Sequence, residues 1–207
     1  MTIKAIIFDL GGVVVELDFS RFFKDVIEIS PLNTPNSSLL LEFWRQSDIY
    51  HQGKITNKEF YSQACELLQT CALNQEQFFD SFNSVLSHVK EEFLALIKNL
   101  KEQNKIKLLC LSNVNSSHWH YLLEQNKEIV ELFDELILSF EVHMTKPDPR
   151  LFKLAIQKAE CKPEEIVFID DGLNNIRSAR ELGIKFSIKF TNLENLINEL
   201  KSLKINL

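Results

Sequence analysis

Apolar residues gather in short runs at five places along the chain: Ile3–Phe8, Ile106–Leu111, Leu136–Leu138, Ile166–Ile169 and Ile184–Ile188. The first, which ends at Asp9 and two glycines, predicts a strand buried on both faces, and the others are similar strand candidates. Between the later runs the spacing changes to that of helices. Phe93, Leu96, Ile97 and Leu100 fall on one helical stripe, and Leu151, Leu154 and Ala155 begin another. Arg177–Leu182 stops at Gly183, a helix-ending residue, and Thr191 with Glu194 predicts a capping box for the last helix. Strands alternating with helices predict an α/β fold, a Rossmann-like parallel sheet with helices on both faces.

The stretch from Glu16 to His88 breaks this rhythm. It contains helical segments and no convincing strand. Thr56 with Glu59 and Asn74 with Gln77 predict two capping boxes, and Ser30-Pro31 through Ser38 has loop chemistry. Eight of the sixteen phenylalanines fall here, at positions 19, 22, 23, 43, 60, 78, 79 and 82. So many large apolar groups must bury one another, which predicts a small helical cap with its own core. The expected organisation is a core of residues 1–15 and 89–207 and a helical cap of residues 16–88 inserted after the first strand.

Composition narrows the function classes. The 207 residues are 45% hydrophobic and 25% charged with a formal charge of −6, a globular balance with no basic run for a nucleic acid. Asp9 and Glu16 interrupt the N-terminal apolar stretch, against a membrane span or a signal peptide. A cytoplasmic location is the expectation. The four cysteines, Cys65, Cys71, Cys110 and Cys161, show no C-x-x-C pair and read as reduced thiols, with Cys110 in the core. There are only five glycines, and Gly11, Gly12 and Gly172 adjoin strand-end aspartates.

Ligands of an open parallel sheet bind beyond the carboxyl ends of its strands, near the point where strand order reverses. That rule collects Asp9 after the first strand, Ser112 and Asn113 after the second, Lys146 after the third, and Asp170 and Asp171 after the fourth. Each taken alone is also a turn or helix-start signal; all at successive strand ends predict one crevice. Three carboxylates in one crevice repel one another unless a proton or cation intervenes, and hard oxygen donors without nearby His or Cys favour Mg²⁺. Lys146 and the Ser112 hydroxyl would then hold phosphate oxygens, and Asp9 would be a nucleophile towards phosphorus.

The segments FDLGGVV (8–14), LSN (111–113), KPDPRLF (146–152) and FIDDGLNNI (168–176) resemble the haloacid dehalogenase superfamily of phosphohydrolases, over the whole chain and including the cap. The first motif and HQGKITNKEF (51–60) look most like its sugar-phosphate branch, typified by bacterial α-glucose-1-phosphate phosphatase. The resemblance implies a Mg²⁺-dependent phosphatase for a small phosphate ester, a sugar phosphate, working through an aspartyl-phosphate. It implies Asp9 and Lys146 as catalytic residues, Ser112, Asn113 and Lys146 as substrate ligands, and Asp9, the Gly11 carbonyl and Asp171 as metal ligands.

Two positions depart from the family. Gly11 stands where most members carry the acid that protonates the leaving group, and Asn175 stands where many carry a carboxylate. The first opens an alternative, a catalytically weak protein that binds a phosphometabolite or a partner. A phosphomutase and a dehalogenase are disfavoured, by the missing acid and by the Asp170-Asp171 pair respectively. His51, His118, His120 and His143 are candidate substitutes for the missing acid, each more simply read as a structural histidine.

Overall fold

The computed structural model describes residues 2–30 and 37–207. Its centre is a five-stranded parallel sheet of β1 (Ala5–Phe8), β4 (Lys107–Ser112), β5 (Glu135–Leu138), β6 (Ile166–Asp170) and β7 (Phe186–Lys189). The strand order is β5-β4-β1-β6-β7. Thus β1 lies in the middle, with Ile7 paired to Leu109 on one side and to Phe168 on the other. Strand order reverses at β1, so the crevice lies beyond Phe8.

The apolar runs of the central strands follow from burial on both faces. Ile6, Phe8, Leu108, Cys110, Val167 and Ile169 join one hydrophobic cluster. Their neighbours Ala5, Ile7, Leu109, Leu111, Ile166 and Phe168 join the cluster on the opposite face. Helix α5 (Glu91–Glu102) buries its expected stripe in the first cluster, and α8 (Pro149–Ala159) buries Leu151, Phe152 and Ala155 in the second. The remaining core helices are α6 (Ser116–Gln125), the short α7 (Ser139–Val142), α9 (Leu173–Glu181) and α10 (Leu193–Ser202).

The cap contains α1 (Ser20–Ile29), α2 (Ser37–His51), α3 (Asn57–Leu68) and α4 (Gln75–Asn83). A third cluster, centred on Phe22, Phe43, Phe60, Phe78 and Phe82, is its core. Both expected capping boxes form, at Thr56–Glu59 and Asn74–Gln77. The cap rests on the core through specific bonds: Ser139 Oγ donates to the His51 carbonyl at 2.7 Å and the His143 ring to the Gln52 carbonyl at 2.9 Å. Gly53, at φ 62°, lies so close to the Phe140 carbonyl that a side chain there would collide with it.

Four expectations change. The insert does have strands: β2 (Val15–Leu17) and β3 (Leu86–Val89) pair antiparallel at its stem. They are three and four residues long and half exposed, so they carry no period-two pattern. The last helix is capped by Asn192, which accepts from Asn195 N, one residue beyond the expected Thr191. Cys65 and Cys71 form a disulfide rather than free thiols. Gln69 ends α3 in the left-handed conformation and Thr70 N returns to the Cys65 carbonyl, which turns the chain back on itself. Of the expected loop from Ser30 to Ser38, positions 31–36 lie outside the described residues, and positions 37 and 38 begin α2.

Candidate active site

Asp9, the residue after β1, is nearly buried, and its backbone N–H is fixed by the Ile169 carbonyl at 2.9 Å. Its Oδ1 accepts from Leu10 N at 2.7 Å and meets Lys146 Nζ at 2.8 Å. The same ammonium lies 2.7 Å from Oδ2 of Asp170, whose side chain is fully buried at the end of β6. Gly172 N and Asn175 Nδ2 donate to the other Asp170 oxygen at 2.7 and 2.9 Å. Oxygens of Asp9, Asp170 and the exposed Asp171 lie within 4.8 Å of one another.

The charges explain the titration of the group. Burial raises the Asp9 carboxyl, Lys146 pulls it back and Asp170 raises it again, leaving it at about 7. Burial likewise raises Asp171, with Asp170 adding to it. For Lys146 burial opposes the charge, but Asp9 and Asp170 outweigh it and hold the ammonium above its ordinary range. Lys146 is ion-paired with Asp9 and Asp170, while Asp171 feels Lys146 and Lys90 only at longer range, an arrangement that favours a further cation.

Gly12 has φ 76°, and a Cβ there would run into the Asp171 carboxylate. Only glycine lets the β1 loop approach Asp171 so closely. Gly11 differs: a Cβ would meet Leu17 Cδ1 at 3.4 Å, an ordinary contact. Ser112 is buried at the end of β4 beside the crevice. Asn113 was expected to bind substrate, but its side chain is engaged with the Lys146 backbone. Its Oδ1 accepts from Lys146 N at 2.7 Å, and its Nδ2 donates to the Lys146 carbonyl at 3.0 Å. The side chain thereby fixes the lysine backbone.

Asn175, a departure in the sequence, supports Asp170 and carries no charge of its own. Of the histidines, His120 is exposed and bonded to the Ser116 carbonyl, and His143 bonds to the cap. His118 is buried and His51 half-buried where the cap meets the core. Cys110 is a core residue whose thiol burial pushes well up. Sequence reasoning missed the Asn113–Lys146 pairing, since the two are 33 residues apart. It also missed the grouping of Phe19, Trp44 and Phe82 around one cavity; the phenylalanine-rich insert was the available signal.

A parallel sheet with an acidic, lysine-bearing crevice at its switch point and a cap above it defines a class of hydrolytic enzymes. Residues 3–183 match the family model of haloacid dehalogenase-like hydrolases, and the chain belongs to that family. It is similar to D-ribitol-5-phosphate phosphatase of Bacteroides thetaiotaomicron, 29% identical over 189 residues, 88% of this chain and 90% of that one. A sesquiterpene phosphatase of Aspergillus oryzae is 26% identical over 88% of each chain. Among solved structures, a haloacid dehalogenase-family enzyme from Bacteroides thetaiotaomicron in complex with magnesium and inorganic phosphate superposes with a TM-score of 0.78. It is 29% identical and is covered over 98% of its length by 94% of this chain.

Proposed function

We propose that the protein is a Mg²⁺-dependent phosphatase of small phosphate monoesters, with Asp9 as nucleophile. The observation that carries this is the convergence of Asp9, Asp170, Asp171 and Lys146 beyond the central strand. The donors fit the ion: they are hard oxygens in a site short of positive charge. Asp9, Asp171 and the Gly11 carbonyl would hold it. When bound, Mg²⁺ supplies neutralisation of the phosphoryl oxygens and favours the ionised form of Asp9.

The chain's own residues do the rest. An Asp9 carboxylate oxygen attacks phosphorus, and the ester oxygen leaves with its electron pair. Lys146, held by Asp170 from the side chain and by Asn113 from the backbone, places its ammonium against the phosphoryl charge. The Ser112 hydroxyl donates to a further phosphoryl oxygen. Water then attacks the aspartyl-phosphate, releasing phosphate and restoring Asp9. The cap closes the crevice from bulk water. The related proteins do not decide the leaving group, because one acts on a polyol phosphate and another bears the name of a sesquiterpene phosphatase. The expected sugar phosphate rests on the resemblance of the first motif and of residues 51–60.

The test is phosphate release from a panel of monoesters with and without Mg²⁺, with Asp9→Asn as the blank. Metal-dependent release that vanishes in the variant is expected. Release unaffected by Asp9→Asn would refute the assignment. A folded protein that binds Mg²⁺ and hydrolyses none of the panel would favour the binding-protein alternative.

A further inference from the structure

Between cap and core lies a cavity of about 120 Å³ whose floor is laid by the residues beside the nucleophile and at the end of β4: Leu10, Gly11, Ser112 and Asn113. Its walls are mainly apolar and include Phe19, Phe22, Trp44 and Phe82, with Ser47, His51 and His118 as the polar residues among them. An apolar protein cavity of about 150 Å³ accommodates benzene, so this one has the scale of a single ring.

The polar groups around it are mostly spent. The His51 Nδ1–H donates to the Ser47 carbonyl at 2.6 Å, and its Nε2 accepts from Asn115 Nδ2 at 3.3 Å. The His118 Nε2–H donates to the Phe82 carbonyl at 3.2 Å. The Asn113 amide is bound to Lys146. A polyol would bring several hydroxyls against this lining and leave most without partners.

A second observation concerns the proton. Among the described residues lining the cavity, only His51 and His118 titrate. Burial holds both below the usual histidine range, His118 at about 3, so both are neutral at pH 7. Their ring N–H groups already serve carbonyls. The cavity therefore offers no acid to a departing oxygen. An alkoxide would need one; a phenolate, already stabilised by its ring, does not.

We propose that the substrate is the phosphate monoester of a small phenol, with its ring seated in this cavity and its ester oxygen beside Gly11. This rests on the phosphatase reading above. The Asp9 carboxylate forms a bond to phosphorus as the aryl oxygen–phosphorus bond breaks, and the pair leaves on the phenolate. Water then cleaves the aspartyl-phosphate, and the proton it releases balances the one that the phenolate takes up. The products are a phenol and inorganic phosphate.

The test uses the full chain with Mg²⁺. Values of kcat/KM are measured for phenyl phosphate, hexyl phosphate and ribitol 5-phosphate, with acetyl phosphate as a substrate that has a good leaving group and no ring. Phenyl phosphate is expected to lead hexyl and ribitol phosphates by about 10²-fold or more, the scale of a missing general acid. Trp44→Ala removes one wall at a part-exposed position and Leu86→Trp fills the space. Each should lower the ratio of phenyl to acetyl phosphate activity about tenfold or more. Phenylphosphonate, which cannot be hydrolysed, should change tryptophan fluorescence in the parent and bind about tenfold tighter than methylphosphonate. Parity or preference for the hexyl or ribitol ester, equal binding of the two phosphonates, or an unchanged ratio in both variants would overturn the proposal. Asp9-dependent hydrolysis of acetyl phosphate alongside any of these failures would leave the phosphatase reading standing. No hydrolysis of acetyl phosphate would overturn both.

Discussion

Replacing Asp9 by Asn removes a titrating carboxyl while keeping its shape, and the structure sets the sign of the effect on stability. The Asp9 carboxyl is raised from 3.8 to about 7 by burial and by Asp170, against the pull of Lys146. Its folded pKa thus lies above its unfolded one. Between those values the folded chain holds a proton that the unfolded chain has lost, so rising pH removes stability across that window. The gap from 3.8 to about 7 corresponds to about 4 kcal/mol. His51 and His118 act in the opposite sense. Their lowered pKa values cost stability as pH falls below the ordinary histidine range, but equally in parent and variant. Urea unfolding of both proteins, with a chelator present from pH 4 to 8.5, isolates the Asp9 contribution as a difference. The stability of Asp9→Asn relative to the parent should climb by about 4 kcal/mol up to pH 7 and then level off, on top of a constant offset between Asn and the protonated Asp9. A difference that is flat, or that falls with pH, would refute the electrostatic account. Adding Mg²⁺ should shrink the climb, because a bound cation stabilises the ionised carboxylate.

Gly12→Ala puts a methyl into the Asp171 carboxylate at positive φ, and urea unfolding should show a loss of about 1–3 kcal/mol. Asn113→Ala removes both bonds to the Lys146 backbone; it should cost about 1–3 kcal/mol and lower kcat more than tenfold as the lysine loses its placement. Gly11→Asp has room for its Cβ beside Leu17 and would return an acid next to the nucleophile, so turnover of hexyl phosphate should rise about tenfold or more. No gain on that ester would show that the proton is not limiting.

The core strands were legible because they are buried on both faces. Ile6 and Ile7 enter opposite clusters, so no polar residue interrupts the run. Three of the candidate site residues were legible because Asp9, Ser112 and Asp170 each directly follow an apolar segment, whereas Lys146 stands beyond α7 and was marked by the Lys-Pro-Asp-Pro run. The β2–β3 ribbon was not, since Glu16, Ser87 and His88 face solvent in strands too short to alternate. The Cys65–Cys71 bond depends on a left-handed residue at Gln69 that carries no glycine signal. The cavity was hidden for a different reason. Hydrophobic patterning says that Phe22 and Phe82 are buried, but not that part of the space between cap and core stays open beside the nucleophile.

The central claim is that a phosphoryl group passes through Asp9. Quenching the protein during turnover of phenyl phosphate with Mg²⁺, then reducing with borohydride, converts an acyl phosphate to homoserine. Peptide mass spectrometry should place homoserine at position 9 in the parent and nowhere in Asp9→Asn. Phosphate release by the parent with position 9 unmodified and another carboxylate reduced instead would contradict the account.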